Sequence, residues 1–306
     1  MPTFVQFLHS GKEYSITPTE KLKGLKDWNY GVHRRKFLKA KGHYVDTSGK
    51  TVGPADLLFW GEWEPESKLT PLASGWLHEP DMQLNPGGHV VAPATKMVSG
   101  TVVYRQNTDP FVFENDGFLF SCCHQARKCM PTSLQSLDSG SIVVFGSCIG
   151  NQFAVDTVLV VGSFKDYDAS SIAIDLNGFV WNSQLYEEIL GQGLCAPFPR
   201  TCASMPQYRC YKGATPSRTV NGMYSFAPCQ LATEGDKYFQ RPILSSSALS
   251  ALKLTGGSRN MVISGQKSWF KTTSQLSMAD MTQIWNVLYD ELITKPNLLP
   301  GTKFYY

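Results

Sequence analysis

Two stretches of this chain carry residue types able to hold a flat, charged ligand. Asp56–Trp63, DLLFWGEW, closes on aromatic and acidic side chains, with Phe59, Trp60, Glu62 and Trp63 followed by Glu64. Indole rings offer flat apolar faces, and a carboxylate beside them accepts hydrogen bonds from an exocyclic amine, so the set suits a nucleobase. The plainer reading packs the tryptophans into the core and leaves the glutamates in water. The second stretch is His33-Arg34-Arg35-Lys36, extended by Lys39, Lys41 and His43. Arg34 and Arg35 supply planar forks for phosphate, and the lysines supply point charges. Its plainer reading is a solvated helix face. Asn107, Asp109 and Phe111, within NTDPF, form a third set. By composition it is a turn; at the mouth of a barrel the same groups would read a ligand. On these residues a nucleotide would lay its base against Trp60 or Trp63 and its phosphate near Arg34 or Arg35.

Nucleophilic and metal chemistry find less support. Gly146-Ser147-Cys148 has the look of a loop presenting a thiol, but a working cysteine needs a base to become thiolate. His124 is available, and no spacing argument brings it there. Cys195, Cys202, Cys210 and Cys229 lack the close pairs of a zinc knuckle, and Cys122-Cys123-His124 with Cys129 is poorly spaced. The expectation is no metal. No Gly-rich phosphate loop, Walker pattern or dinucleotide fingerprint occurs, so the cofactor is unknown from sequence.

Composition bounds the rest. The 306 residues are 42% apolar and 17% charged, enough to build a core and too little charge for a disordered chain. A formal net charge of +3 admits a nucleotide or nucleic-acid partner without demanding one. No stretch reaches the roughly 18–20 apolar residues of a membrane span. The N-terminus, MPTFVQFLHSGKEY, lacks the pattern of a signal peptide. These features predict a cytoplasmic protein, free of membrane, with reduced cysteines.

The elements that must position the candidates centre on Leu137–Phe164. Two β-branched runs, Ile142–Phe145 and Val155–Val161, flank a linker containing Gly146, Ser147, Gly150 and Asn151. That pattern predicts an antiparallel hairpin at the middle of the main sheet. Phe4–Leu8 reads as a strand, Thr19–Asn29 and Ser183–Leu190 as short helices, and Met97–Arg105 as a strand. The five prolines between 65 and 95 predict loop, and Cys195–Thr219 reads as mostly irregular. In Ala279–Ile293, Met281, Ile284, Trp285, Leu288 and Leu292 recur at spacings of three and four, predicting a docked helix ended by Pro296. The fold class is α+β: a mostly antiparallel, strand-rich sheet or partial barrel with peripheral helices and a C-terminal helix. One elaborated domain over 1–306 is expected, with 97–168 as its β core and 169–306 as a candidate second lobe.

Leu137, Gly140, Ile142, Val143, Phe145 and Gly146, then Phe153 and Val158–Val161, resemble the strand pair of small PUA, ASCH and EVE β-barrels, with Ser141 where an acidic residue is usual. Asp109-Pro110-Phe111, Ser121-Cys122-Cys123 with Gln125 and Arg127, GSIVVFGS and VLVVGSFKDYD resemble a nucleotide-modification-associated domain family of bacteria and phages. This resemblance spans about 107–168. It implies a protein that recognises or processes nucleobases or nucleotides, in DNA modification or phage defence. His9-Ser10-Gly11 after the first strand, with Tyr44 and Glu62, resembles the start of an ADP-ribosyl-transfer fold, although Ser10 separates His from Gly. That likeness implies an NAD-using transferase or glycohydrolase with His9, Tyr44 and Glu62 as catalytic residues. A scaffold whose loops at 65–95 and 195–220 bind a partner is the third reading.

Overall fold

The computed structural model describes residues 1–8, 34–63, 68–71, 89–92, 109–127, 130–149, 152–168, 170–181, 207–232, 239–254, 262–263, 266–267 and 270–305. The elements expected over 19–29, 97–105 and 183–190 lie outside them. In chain order the strands are β1 (Phe4–Leu8), β2 (Arg34–Val45), β3 (Thr51–Trp63), β4 (Lys68–Pro71), β5 (His89–Ala92), β6 (Leu119–Phe120), β7 (Ala126–Arg127) and β8 (Met130–Pro131). They continue with β9 (Ile142–Ile149), β10 (Gln152–Asp168), β11 (Gln207–Gly213), β12 (Ala227–Leu231), β13 (Val262–Ile263), β14 (Gln266–Lys267), β15 (Phe270–Thr273) and β16 (Leu299–Tyr305). The α-helices are α1 (Ile172–Asp175), α2 (Ser246–Ala251) and α3 (Met278–Tyr289).

The central apolar stretch forms the hairpin β9–β10, which lies inside a sheet of order β15-β1-β9-β10-β11-β6. Its side chains divide cleanly between two cores. Val143, Phe145, Leu159 and Val161 face one cluster, and Ile142, Val144, Val158 and Val160 face the other. Burial on both faces explains a continuous Val/Ile run in place of polar alternation. The strands run longer than the apolar runs alone indicate. Gly146 and Ser147 therefore belong to β9, and only residues 150–151 separate it from β10. Gly146 is needed there, because a Cβ would sit 2.1 Å from the Ala154 carbonyl oxygen.

The first core is closed by a second sheet, of order β16-β12-β3-β2-β5-β4. In it β16 pairs with β2 as well as β12, so β2, β3, β12 and β16 form a closed ring of four strands. The pairing is antiparallel except at β1–β9 and β2–β5. Ring closure brings β16 hard against β2 at Gly42, where a Cβ would lie 2.3 Å from the Lys303 carbonyl oxygen. Phe59 and Phe304 stack at 4.1 Å between ring centroids inside the first core. The fold is thus strand-rich α+β with a partly closed sheet. Strands from both ends of the chain share each sheet.

Helix α3 covers the second core. Ser277 and Asp280 form a reciprocal capping box at its start. Met281, Trp285 and Leu288 are buried, Leu292 follows them in the next turn, and Ile284 packs at the edge of the same cluster. Three expectations are corrected. The basic run 33–41 enters strand β2, because its Phe37–Ala40 segment pairs with the apolar Leu57–Trp60 of β3. The proline-rich stretch 65–95 contains β4 and β5, which pair with one another. Cys195–Thr219 contains β11, whose Tyr208, Cys210 and Tyr211 are buried against β10.

Where β10 bulges at Asp156, the fold buries an ion pair. Arg241 donates through Nε to Asp156 Oδ1 at 2.9 Å and through its terminal nitrogen to Ser147 Oγ at 2.6 Å. Both charged residues are almost fully enclosed. Arg241→Ala takes a buried ion-pair partner from Asp156, so it should lower the unfolding free energy by roughly 3–5 kcal/mol in denaturant titration. The double change Arg241→Met with Asp156→Leu should cost less than the single one. A single substitution as mild as a surface change would contradict this account.

Candidate functional site

A groove of about 690 Å³ opens between the closed ring and the end of α3. That volume lies within the range of small-molecule sites. Its inner wall is aromatic. Trp285 and Tyr289, one helical turn apart, stack with centroids 4.9 Å apart at 27°. Tyr224 meets Trp285 edge-on at 5.1 Å, and its carbonyl oxygen accepts the Trp285 indole N–H at 2.8 Å. Burial and the adjacent Tyr289 hydroxyl push the Tyr224 phenol up, so it is neutral throughout the physiological range.

The far wall follows from how α3 ends. Asp290–Thr294 widens into a π-turn, with the Lys295 N–H donating five residues back to the Asp290 carbonyl at 3.0 Å. Pro296 has no N–H to continue a helix, and Asn297 then turns the chain at a φ of 55°. Asparagine is among the few side chains that tolerate this left-handed region. π-turns are frequent at functional sites. Here the turn places Ile293, Thr294 and Asn297 along the groove. The opposite lip is the β2–β3 turn, where the Asp46 carboxylate accepts from the Ser48 and Lys50 N–H groups and so shapes the turn.

The residues singled out from sequence fall elsewhere. Trp60 is a correction: it is 3% exposed, and its indole N–H donates to the Phe239 carbonyl oxygen at 2.8 Å. A ring enclosed in this way has no face left for a base. Phe111 is fully buried beside Phe113, a second correction for the same reason. Asp109 is also fully buried and holds a turn together. Its oxygens accept from the N–H groups of Ser121, Cys122 and Cys123 at 2.5, 2.9 and 2.6 Å. It is therefore not presented to a ligand. Asn107 and His9 lie outside the described residues.

The strand register opposes Arg34 to Trp63 and Arg35 to Glu62 at one end of β2–β3. Those four side chains lie outside the described part of the structure. Tyr44 stands opposite Val52, nine residues along β2 from Arg35, which is about 30 Å at the usual strand rise of about 3.3 Å. The register thus sets Tyr44 and Glu62 far apart, and with them the His9, Tyr44 and Glu62 combination. The groove residues Tyr224, Tyr289 and Asn297 are not among the candidates that residue type and spacing single out. The four-residue spacing of Trp285 and Tyr289 was a visible signal, but nothing local announces Tyr224.

Asp109, Cys122 and Cys123 bring one ligand atom each within 4.8 Å of one another. They fit a metal poorly. The carboxylate is engaged by backbone donors and by the Cys122 thiol at 3.3 Å. A hydrogen bond from Cys123 favours the Cys122 thiolate, but burial and the Asp109 carboxylate outweigh it and leave that thiol raised. Burial raises Cys210 further. A protonated thiol is not a nucleophile, and a metal here would have to displace its proton. Gly146-Ser147-Cys148 lies inside β9 and presents no loop. Among the described residues no helix is long and apolar enough to cross a membrane.

No family model, curated protein or solved structure matches the chain.

Glu291 ties the π-turn to α2. It is buried, and it accepts from the Ser245 N–H at 3.3 Å and from the Lys295 ammonium. Burial alone would raise its pKa, but these donors prevail and hold it below the ordinary 4.5. A depressed folded pKa means the stabilisation is present above about pH 4.5 and is lost as pH falls through the folded value. Glu291→Gln should therefore lower stability at pH 7 and flatten the loss below pH 4.5, read by thermal unfolding at several pH values. Asp109→Ala should also destabilise, because each buried N–H left without an acceptor costs about 1–3 kcal/mol.

Proposed function

We propose that this protein recognises a nucleobase or nucleotide in the groove bounded by Tyr224, Trp285 and Tyr289. One observation carries the reading: a cleft of about 690 Å³ lined by the Tyr224, Trp285 and Tyr289 rings and by Thr294 and Asn297. Tyr289 is the partly exposed ring, with Trp285 and Tyr224 buried behind it, and an accessible aromatic face supplies sequence-tolerant stacking to any base. A carboxamide offers one donor and one acceptor, which is what reading a base edge requires. The central-hairpin resemblance to nucleotide-modification-associated domains agrees with this reading and extends it to a role in DNA modification or phage defence. The site differs from the one expected at Trp60 and Trp63, while the ligand class is the same.

The reading is tested by thermal-shift and calorimetric titration of the full chain with nucleosides, modified nucleosides, nucleotides, NAD and short oligonucleotides. A ligand that binds only the folded state raises its apparent stability. Tyr289→Ala should weaken binding of every base-bearing ligand by about 1–3 kcal/mol, the usual worth of one stacking ring. Asn297→Asp, which replaces the amide donor with acceptors, should change which base is preferred. Tyr289 is partly buried and packs on the edge of the second core, so the variant is used only where its thermal midpoint matches the parent's. If no ligand shifts the parent protein, the proposal fails and a scaffold role takes its place.

A further inference from the structure

Across Pro216 from the aromatic groove lies a second hollow of about 280 Å³, and Pro216 lines both. Its lining carries polar side chains and a lysine, with no Trp or Tyr ring among them. Lys303 stands opposite His43 in the β16–β2 pairing, and both face this hollow with Asn115, Thr215 and Ser217.

The charge balance there is positive. Asp116, the acid in its described lining, pairs with Arg218 and Lys212, and Lys212 also faces the Glu114 carboxylate, which leaves Lys303 as the cation in excess. Lys303 sits 4.8 Å from the centroid of the Tyr305 ring. Among the described residues no carboxylate forms an ion pair with it. The Tyr305 hydroxyl lies 3.1 Å from His43 Nδ1. Burial and the Lys303 charge keep the His43 pKa below its ordinary value, so the ring is neutral at pH 7 and retains one N–H. The Thr215 and Ser217 hydroxyls are 3.1 Å apart and share one hydrogen bond. Two hydroxyl hydrogens with one bond between them leave one free to donate outwards.

An uncompensated ammonium with hydroxyl and amide donors beside it is the equipment of an oxyanion site. We infer that this hollow takes the phosphate of a nucleotide whose base lies in the aromatic groove, so that the ligand is a nucleoside phosphate. The inference rests on the groove reading above and narrows it. Pro216 lines both hollows, so the two subsites adjoin. The site lies far along β2 from Arg34 and Arg35, where the basic run had placed phosphate.

The test is calorimetric titration of the full chain with a nucleoside 5′-monophosphate, with the matching nucleoside and with inorganic phosphate. Parent, Lys303→Gln, Lys303→Arg and Tyr289→Ala proteins are compared, each first checked for an unchanged thermal midpoint. The monophosphate should bind the parent more tightly than the nucleoside does, and the difference should shrink as salt rises. Lys303→Gln should weaken the monophosphate by about ten- to a hundredfold and leave the nucleoside unchanged. Lys303→Arg should restore most of the loss. Equal binding of nucleoside and monophosphate, both weakened by Tyr289→Ala and neither by Lys303→Gln, would overturn the phosphate site and leave the groove standing. Failure of every base-bearing ligand to bind the parent would overturn both. Inorganic phosphate that binds while no nucleotide does would likewise overturn the inference, since the hollow would then hold an anion without a base.

Discussion

The fold depends on covering β10 from both sides. Its Val158–Val161 run alternates between two cores, and all four side chains are fully buried. Burial removes roughly 1.5–3 kcal/mol of unfavourable exposure per large aliphatic side chain, a gain that is lost if either face stays wet. One face is met by the closed ring of β2, β3, β12 and β16. The other is met by α3, by α2 and by the Phe226 and Leu244 side chains, while backbone bridges at Phe226 and Ile243 continue the sheet along the edge of β10. The ends of the chain are drawn in for the same reason. Phe4 and Phe7 of β1 divide between the two cores, as do Phe304 and Leu298 at the other terminus.

Polar groups inside this double core act as fasteners. Arg241 and Asp156 anchor the 239–244 segment to the bulge in β10. Asp109 gathers three successive N–H groups into one turn. The large aromatics work in the same way at their polar ends. The Tyr167 hydroxyl donates to the Ser121 carbonyl at 2.8 Å, and the Tyr211 hydroxyl to the Leu134 carbonyl at 2.6 Å. The Trp60 and Trp285 indoles each donate to a carbonyl far away in sequence. An unmade bond is expensive in a low-dielectric interior, so these contacts fix where loops cross the sheet edges.

The groove is a by-product of that packing at one place. Helix α3 must cover the second core, and the chain must then turn back to supply β16 to the ring. Pro296 and the left-handed Asn297 make the reversal, and the π-turn before them spreads the backbone. The last turn of α3 is consequently held off the ring, and Trp285 and Tyr289 line the gap. The same return places Lys303 beside His43. A flat apolar wall and a cationic hollow thus arise from consecutive parts of one segment, from Trp285 to Lys303.

The sequence by itself determined the elements whose signal is local. The β-branched runs in 142–161 specify strands, and three-to-four spacing from Met281 to Leu292 specifies a helix with one apolar face. Phe4–Leu8 is legible for the same reason. What local pattern leaves undecided is what comes to lie against each face. Trp60 and Trp285 look alike in sequence, each an indole in an apolar run. Tertiary packing buries both, but it sets the first beneath Phe239 and the second behind Tyr289 at the wall of a groove. Asp109 could have faced a ligand, and it was the arrival of Ser121–Cys123 that enclosed it. Tyr44 and Glu62 sit in neighbouring strands, yet the hairpin register sends them to opposite ends. Periodicity sets the direction of a side chain, whereas its burial, its partners and its chemistry are decided by segments distant in the chain, through contacts that exist only once the two sheets and α3 have closed on one another.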